Sequence, residues 1–150
     1  MSGTFLSQYG AITGTLPVAS GRTYFVAPSA SYVVNGRPST GGDGNDGLSP
    51  YRALLTINRA WDLVTANQGD VIVLLPGTHS PTASITADVA GVTMMGLPGG
   101  PGRGNPWLPR TTMAAVTGDQ TINVTAADVE IAYLNIIPVT AQAALDVSAA

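Results

Sequence analysis

The second half of the chain repeats one pattern of apolar and polar positions. Residues 85–97 align without a gap on residues 122–134, an offset of 122 − 85 = 37 residues. Between the copies, residues 98–110 are too rich in Pro and Gly for regular structure. Leu145 then follows Ile122 by 145 − 122 = 23 residues, so the first offset contains 37 − 23 = 14 extra residues. Short β-rich runs at such a period indicate an all-β solenoid of stacked coils, which we interpret as a parallel β-helix.

The alignment predicts which strands lie side by side. Residues 92–95 and 129–132 should be parallel and one coil apart, with Val92 over Val129 and Met94 over Ile131. Neighbouring parallel strands lie about 4.8 Å apart, so the Cα atoms of these pairs should be separated by roughly 5 to 6 Å. An antiparallel pairing would contradict the repeat.

The first half has a different pattern. Residues 22–27 form a β-branched and aromatic run that predicts a strand, and residues 29–50 read as a long loop. Residues 51–66 have apolar side chains at helical spacing, and Ser49 and Pro50 suit the N-cap and the first helical position. The sequence therefore predicts one amphipathic capping helix, with its apolar side chains set as a lid on the first coil: Leu54, Ile57, Trp61 and Val64.

A continuous apolar run follows the helix. Residues 71–75 read Val-Ile-Val-Leu-Leu, which is typical of a strand buried on both faces. We expect the helix to cover one face and the coil interior to cover the other. The predicted organisation is an attachment arm (1–20), a cap (21–68) and the first coils (69–150), with an inserted loop at about 97–110.

The arm is apolar and uncharged. Residues 1–20 contain no charged side chain and no periodicity of a self-sufficient element. A solvated tail would be polar or charged, so we expect this segment to dock on a neighbouring protein. It also lacks the positive and apolar regions of a secretory signal.

Composition limits the partners. The six basic residues are all Arg, only 10% of residues are charged, and the net charge is −3. This gives no electrostatic reason to expect a nucleic acid or an anionic membrane as partner. The low charge suits stacked backbone and burial in a larger assembly. With no cysteine, disulfides and thiolate metal sites are excluded.

Several segments resemble the amino-terminal cap and first coils of the right-handed β-helix proteins of the pectate-lyase-like superfamily. The resemblance covers residues 22–150 and lies in these motifs: 45–50 (NDGLSP), Thr56-Ile57, Ala60, 69–72 (GDVI), 76–78 (PGT) and 91–93 (GVT). It implies the fold more strongly than the activity, because similar modules occur in polysaccharide lyases and hydrolases, in bacterial surface proteins, and in the tail spikes and fibres of tailed bacteriophages. The uncharged arm and the loop at 98–110 depart from that pattern and suggest contacts with other proteins.

Four further segments contain residue types that occur in functional sites, and most of them fit plainer roles. Asp43, Asn45 and Asp46 lie among glycines, as the ligands of a calcium loop can, but their spacing does not fit an EF-hand. We therefore expect tight turns in which these side chains bond their own backbone. His79 is expected at the surface as a lone histidine without a nucleophile. The segment 99–104 lacks the ending of a phosphate loop. Trp107 is either an interface anchor or packed on its own coil.

The resemblance also implies where catalysis would occur, in carboxylates clustered on one face of the coils. The coil segments contain six: Asp70, Asp88, Asp119, Asp128, Glu130 and Asp146. Asp70, Asp88 and Asp128 are placed at turns, and Glu130 should point outward from a strand. No second carboxylate can be placed beside Glu130, whereas acid and base catalysis on a glycoside needs two. We therefore assign no catalytic, metal or cofactor residue within 1–150.

The leading functional hypothesis is a structural virion protein: a β-helix appendage of a tailed bacteriophage, such as a tail spike, a fibre or a head decoration. It would be located in the virion and held by other virion proteins through the arm. A homotrimer and a host-surface glycan bound by later coils are left open. The alternatives are a polysaccharide lyase or hydrolase with its active site beyond residue 150, and a bacterial surface adhesin.

Overall fold

The computed structural model describes residues 20–34, 36–97, 111–114, 116, 121–137 and 145–147. These residues form mostly β-strands, with one short 3₁₀ helix (Pro50–Arg52) and one α-helix, α1 (Ile57–Leu63). The strands in chain order are β1 (Thr23–Val26), β2 (Ser31–Val34), β3 (Arg37–Thr40), β4 (Val71–Leu74), β5 (Gly77–His79), β6 (Ile85–Ala87), β7 (Thr93–Gly96), β8 (Thr111–Ala114), β9 (Ile122–Val124), β10 (Glu130–Ala132), β11 (Asn135–Ile137) and β12 (Leu145–Val147).

Strands from β4 onward recur in threes. Each successive triplet contributes one strand to each of three parallel sheets, whose orders are β1-β4-β7-β10, β5-β8-β11 and β6-β9-β12. Strands β10, β11 and β12 are therefore the last strand of each sheet among the described residues.

The register confirms the sequence repeat. Met94 pairs with Ile131, and Ile85 pairs with Ile122, both in parallel at the 37-residue offset. Leu145 pairs with Ile122 at the 23-residue offset. In the second sheet, however, Asn135 pairs with Thr112, an offset of 135 − 112 = 23. The 14 extra residues therefore lie between β7 and β8, where the sequence predicted the inserted loop.

The corner before the first sheet has a repeated backbone conformation. Gly69, Gly91 and Asp128 occupy equivalent positions before β4, β7 and β10, as the registers of these strands show. All three have left-handed φ angles, of 71°, 72° and 55°. Glycine adopts this conformation without strain, and aspartate tolerates it better than most residues. The recurring Gly or Asp is therefore required by the turn.

Strand β4 of the first sheet is buried on both faces, as the continuous apolar run predicted. All four residues of β4 are buried. Ile72 and Leu74 face the main core cluster, which also contains Ile85 and Ile122. Val71 and Val73 face a second cluster with Phe25, Leu75, Met95 and Leu97. The prediction that the helix covers the face turned away from the coil interior was wrong. Helix α1 belongs to the main cluster, and the outer face packs with Ala53 and with partly buried Tyr32 of β2.

The capping helix is shorter than predicted. Ser49 caps the 3₁₀ helix, accepting a hydrogen bond from the Tyr51 backbone N–H, but Ala53 is extended. Leu54 then forms a parallel bridge with Val26 of β1 and exchanges backbone hydrogen bonds with Phe25 and Ala27. Pairing with the edge strand interrupts the helix, which begins again only after Thr56, whose side chain accepts a hydrogen bond from the Arg59 N–H.

The prediction that four apolar side chains of this segment pack as a lid is confirmed. Leu54, Ile57, Trp61 and Val64 are all buried in the main cluster. Helix α1 packs against β1 and β6, which are the first strands of their sheets. The helix thus covers the end of the core opposite β10, β11 and β12.

The segment predicted as a long loop contains an antiparallel hairpin instead. Strands β2 and β3 pair from Ser31 with Thr40 to Val34 with Arg37. Gly36, between them, has a left-handed φ of 76°. The Asn35-Gly36 dipeptide in the sequence is a hairpin signal that the loop prediction overlooked.

Candidate functional site

His79 is the last residue of β5, and it is buried with only 3% of its surface exposed. The expectation of a surface histidine was therefore wrong. Alternation along β5 turns Thr78 outward and His79 inward, where its register partner is the fully buried Met113. Its Nε2 atom lies 2.9 Å from the backbone oxygen of Leu75. A carbonyl oxygen only accepts, so Nε2 carries the proton and Nδ1 is the acceptor of the neutral ring.

Burial lowers the pKa of His79 below its ordinary value of 6.5, and the hydrogen bond to the Leu75 carbonyl opposes this only partly. The cause is desolvation, which disfavours the charged ring. The imidazole is therefore neutral at pH 7.

A cleft of about 340 Å³ lies beside His79. It is bounded by the end of β1, the start of α1 and the segment between β5 and β6, and its lining includes Pro28, Leu55, Ile57, Asn58, Ser80 and Thr82. The volume falls within the range of small-molecule sites. No sequence signal pointed to this cleft, because its walls come from three separate segments.

Asp43 organises the start of α1. Its Oδ1 atom accepts hydrogen bonds from the backbone N–H groups of Leu55 and Thr56, and Oδ2 accepts one from the Thr56 hydroxyl at 2.8 Å. Asn45 donates from Nδ2 to the carbonyls of Thr40 and Ala53. The tight-turn interpretation was thus incomplete, because both side chains bond segments other than their own turn.

Asp46 fits the turn interpretation better. Its Oδ1 atom accepts a hydrogen bond from the Leu48 N–H, two residues later, and Oδ2 lies 3.2 Å from the Arg52 guanidinium. Within the described ranges, no three His, Cys, Asp or Glu side chains are grouped closely enough to hold a metal ion.

Asp70 is a buried structural carboxylate rather than a simple turn residue. Its Oδ1 atom accepts a hydrogen bond from the Arg22 backbone N–H at 2.6 Å, and Oδ2 accepts one from the Thr65 N–H at 2.8 Å. It therefore joins the entry to β1, the segment after α1 and the start of β4. A side chain at Gly21 would collide with its Oδ1 atom.

Asp88, Asp128 and Glu130 lie where the sequence placed them. Glu130 is exposed on β10, as expected of an outward residue, and its Oε2 atom lies 3.4 Å from the Thr93 hydroxyl of β7. Asp88 and Asp128 are exposed outside the strands. Asp146 pairs with Asn123 of β9. Asp119, Trp107, the segment 99–104 and the arm up to residue 19 lie outside the described residues.

Comparison of the chain with protein-family models, with curated proteins and with solved structures finds no match in any of the three. In the described part of the chain, no helix has the length and apolar character needed to cross a membrane.

Proposed function

We propose that the strand triplets are successive coils of a right-handed parallel β-helix that serves as a structural appendage of a tailed bacteriophage. The observation that carries the proposal is the recurrence of every triplet in the same three parallel sheets, in one register. Right-handed connections between parallel strands of one sheet predominate strongly, which supports the handedness.

The two ends of the stacked sheets differ, which supports a module that is attached at one end. At one end, α1 and its buried Trp61 cover the first strands. At the other, the apolar residues Tyr133, Ile137, Leu145 and Val147 are exposed on or beside the last strands. An appendage attached at its closed end would have this polarity, with a covered end near residue 20 and an apolar edge at the opposite end.

The attachment itself is proposed for residues 1–20, because the segment is apolar and uncharged. Ordering such a segment costs entropy that only a large contact area offsets, so its partner is expected to be another virion protein.

The test is incorporation into particles. A variant lacking residues 2–20 should keep the circular dichroism spectrum and unfolding midpoint of the full chain but be absent from purified phage particles. The exposed-corner variant Asp88→Asn should be incorporated like the wild type. Normal incorporation of the truncated chain would overturn the attachment role, and absence of the full chain from particles would favour the enzyme or adhesin alternatives.

A further inference from the structure

The cleft beside His79 combines apolar walls with one buried polar side chain, that of His79. Ala27, Pro28, Leu55 and Ile57 supply apolar surface on two sides. The cleft contains no Asp, Glu or Arg side chain among the described residues that line it. A charged ligand would lose its hydration there without gaining a counter-charge, so the cleft suits an uncharged one.

The side chains of Thr56 and Asn58, on the helix side of the cleft, each already donate one hydrogen bond within the protein. The Thr56 hydroxyl donates to Asp43 and accepts from the Arg59 N–H. Asn58 donates from Nδ2 to the Ser84 carbonyl. Among the described residues that line the cleft, His79 has the one buried polar side chain. Its Nε2–H is bound to the Leu75 carbonyl, so Nδ1 is the ring nitrogen left for a ligand.

We propose that this cleft binds a small uncharged molecule with an apolar body, which donates a hydrogen bond from a hydroxyl or amide group to Nδ1 of His79. Ser80 and Thr82, both exposed, provide hydroxyls at the rim. The proposal does not depend on the attachment role of the arm.

Two probes that differ in one donor test it. Cyclohexanol has an apolar ring and a hydroxyl donor, whereas methoxycyclohexane has a similar ring and no donor. His79 is the only histidine, so its ring ¹⁵N signals in NMR spectra need no further assignment. Cyclohexanol should shift the Nδ1 signal saturably, together with the amide signals of Asn58 and Thr82. Methoxycyclohexane should bind about five- to tenfold more weakly, the factor expected for one hydrogen bond.

Variants locate the site. Ala83 lines the cleft, so Ala83→Trp places a large side chain there and should abolish the cyclohexanol shifts. Ala127→Trp, at an exposed corner that does not line the cleft, should leave them unchanged. Equal binding of the two probes would overturn the role of Nδ1. Binding that survives in Ala83→Trp, or no saturable shift up to the solubility limit of cyclohexanol, would overturn the site itself.

Discussion

Ile122 and Leu145 are register partners in neighbouring strands of one parallel sheet, yet Ile122 is fully buried and 43% of Leu145 is exposed. The next inward-facing pair of this register differs in the same way, because Val124 is 6% exposed and Val147 is 64% exposed. The same column of apolar positions thus runs from the core to an uncovered edge. Its energetic contribution should change with position along the column.

Truncation of these two residues should separate the two environments. Ile122→Ala removes buried methylene groups and leaves a cavity, and should lower the free energy of unfolding by about 2 to 5 kcal/mol. Leu145→Ala should cost less than about half of that, because much of its side chain is already in water. Urea unfolding followed by circular dichroism measures both, and equal losses would show that β12 is not an edge.

The indole of Trp61 should be the main contributor to the closed end. Trp61 is 3% exposed, and its buried Nε1 atom has no hydrogen-bond partner among the described residues. Trp61→Ala should cost about 3 to 5 kcal/mol of stability. Trp61→Phe should cost clearly less, because it keeps an aromatic ring and removes the unsatisfied N–H group. Leu48→Ala, at an exposed leucine, is the matched control and should change the unfolding midpoint little. If Ala and Phe at position 61 are equally costly, the ring packing is not what stabilises this end.

The sequence could predict the repeat because apolar positions that stack must recur at one spacing. Met94 over Ile131 and Leu145 over Ile122 follow from that requirement alone. The inserted loop at about residues 97–110 could be located because an insertion lengthens the offset between two copies of the repeat without changing their apolar pattern. Asp128 could be placed at a corner because its turn requires a residue that tolerates a left-handed φ.

Features that depend on distant partners could not be predicted in this way. The continuous helix pattern through Leu54 was overridden by the strand pairing of that residue with Val26. The burial of His79 depends on the Leu75 carbonyl as a hydrogen-bond partner, which the alternation along β5 does not reveal. The acceptor role of Asp43 depends on N–H groups twelve and thirteen residues later. Propensity and periodicity describe neighbours in sequence, whereas these contacts are tertiary.

Asp70 should stabilise the protein far more than an exposed acid does. Asp70→Ala removes the acceptor of two backbone N–H groups and should cost roughly 2 to 4 kcal/mol. Asp62→Ala is the matched control, because Asp62 is exposed and makes only a 3.7 Å ion pair with Arg59. That variant should lie within about 0.5 kcal/mol of the wild type in urea unfolding. Similar losses in the two variants would contradict the structural role of Asp70.

His79 should make stability fall in mild acid. Its pKa is lowered in the folded protein, so the unfolded chain binds a proton below about pH 6.5 while the folded chain still resists it. The contribution of neutral His79 to the free energy of unfolding is therefore complete above about pH 6.5. It decreases as the pH falls toward the pKa of the folded state, and below that pKa it no longer changes. The slope is at most about 1.4 kcal/mol per pH unit for one proton.

The variant His79→Gln isolates this effect, because Gln keeps an N–H donor for the Leu75 carbonyl and does not titrate. The difference in unfolding free energy between wild type and His79→Gln should shrink as the pH is lowered from 7.5 to 4.5. A difference that is constant with pH would mean that the ring is accessible to protons in the folded protein.

Disulfide trapping tests the stacking of the triplets most directly, and the absence of native cysteine makes it unambiguous. Thr86, Asn123 and Asp146 form one column across β6, β9 and β12, at offsets of 123 − 86 = 37 and 146 − 123 = 23 residues. Adjacent members should have Cα atoms about 5 Å apart, within disulfide range, whereas Thr86 and Asp146 should be about 10 Å apart, beyond it. After mild oxidation, intact-mass analysis should therefore find a crosslink in Thr86→Cys/Asn123→Cys and in Asn123→Cys/Asp146→Cys, and none in Thr86→Cys/Asp146→Cys. A crosslink only in the last variant, or in none of the three, would contradict the stack.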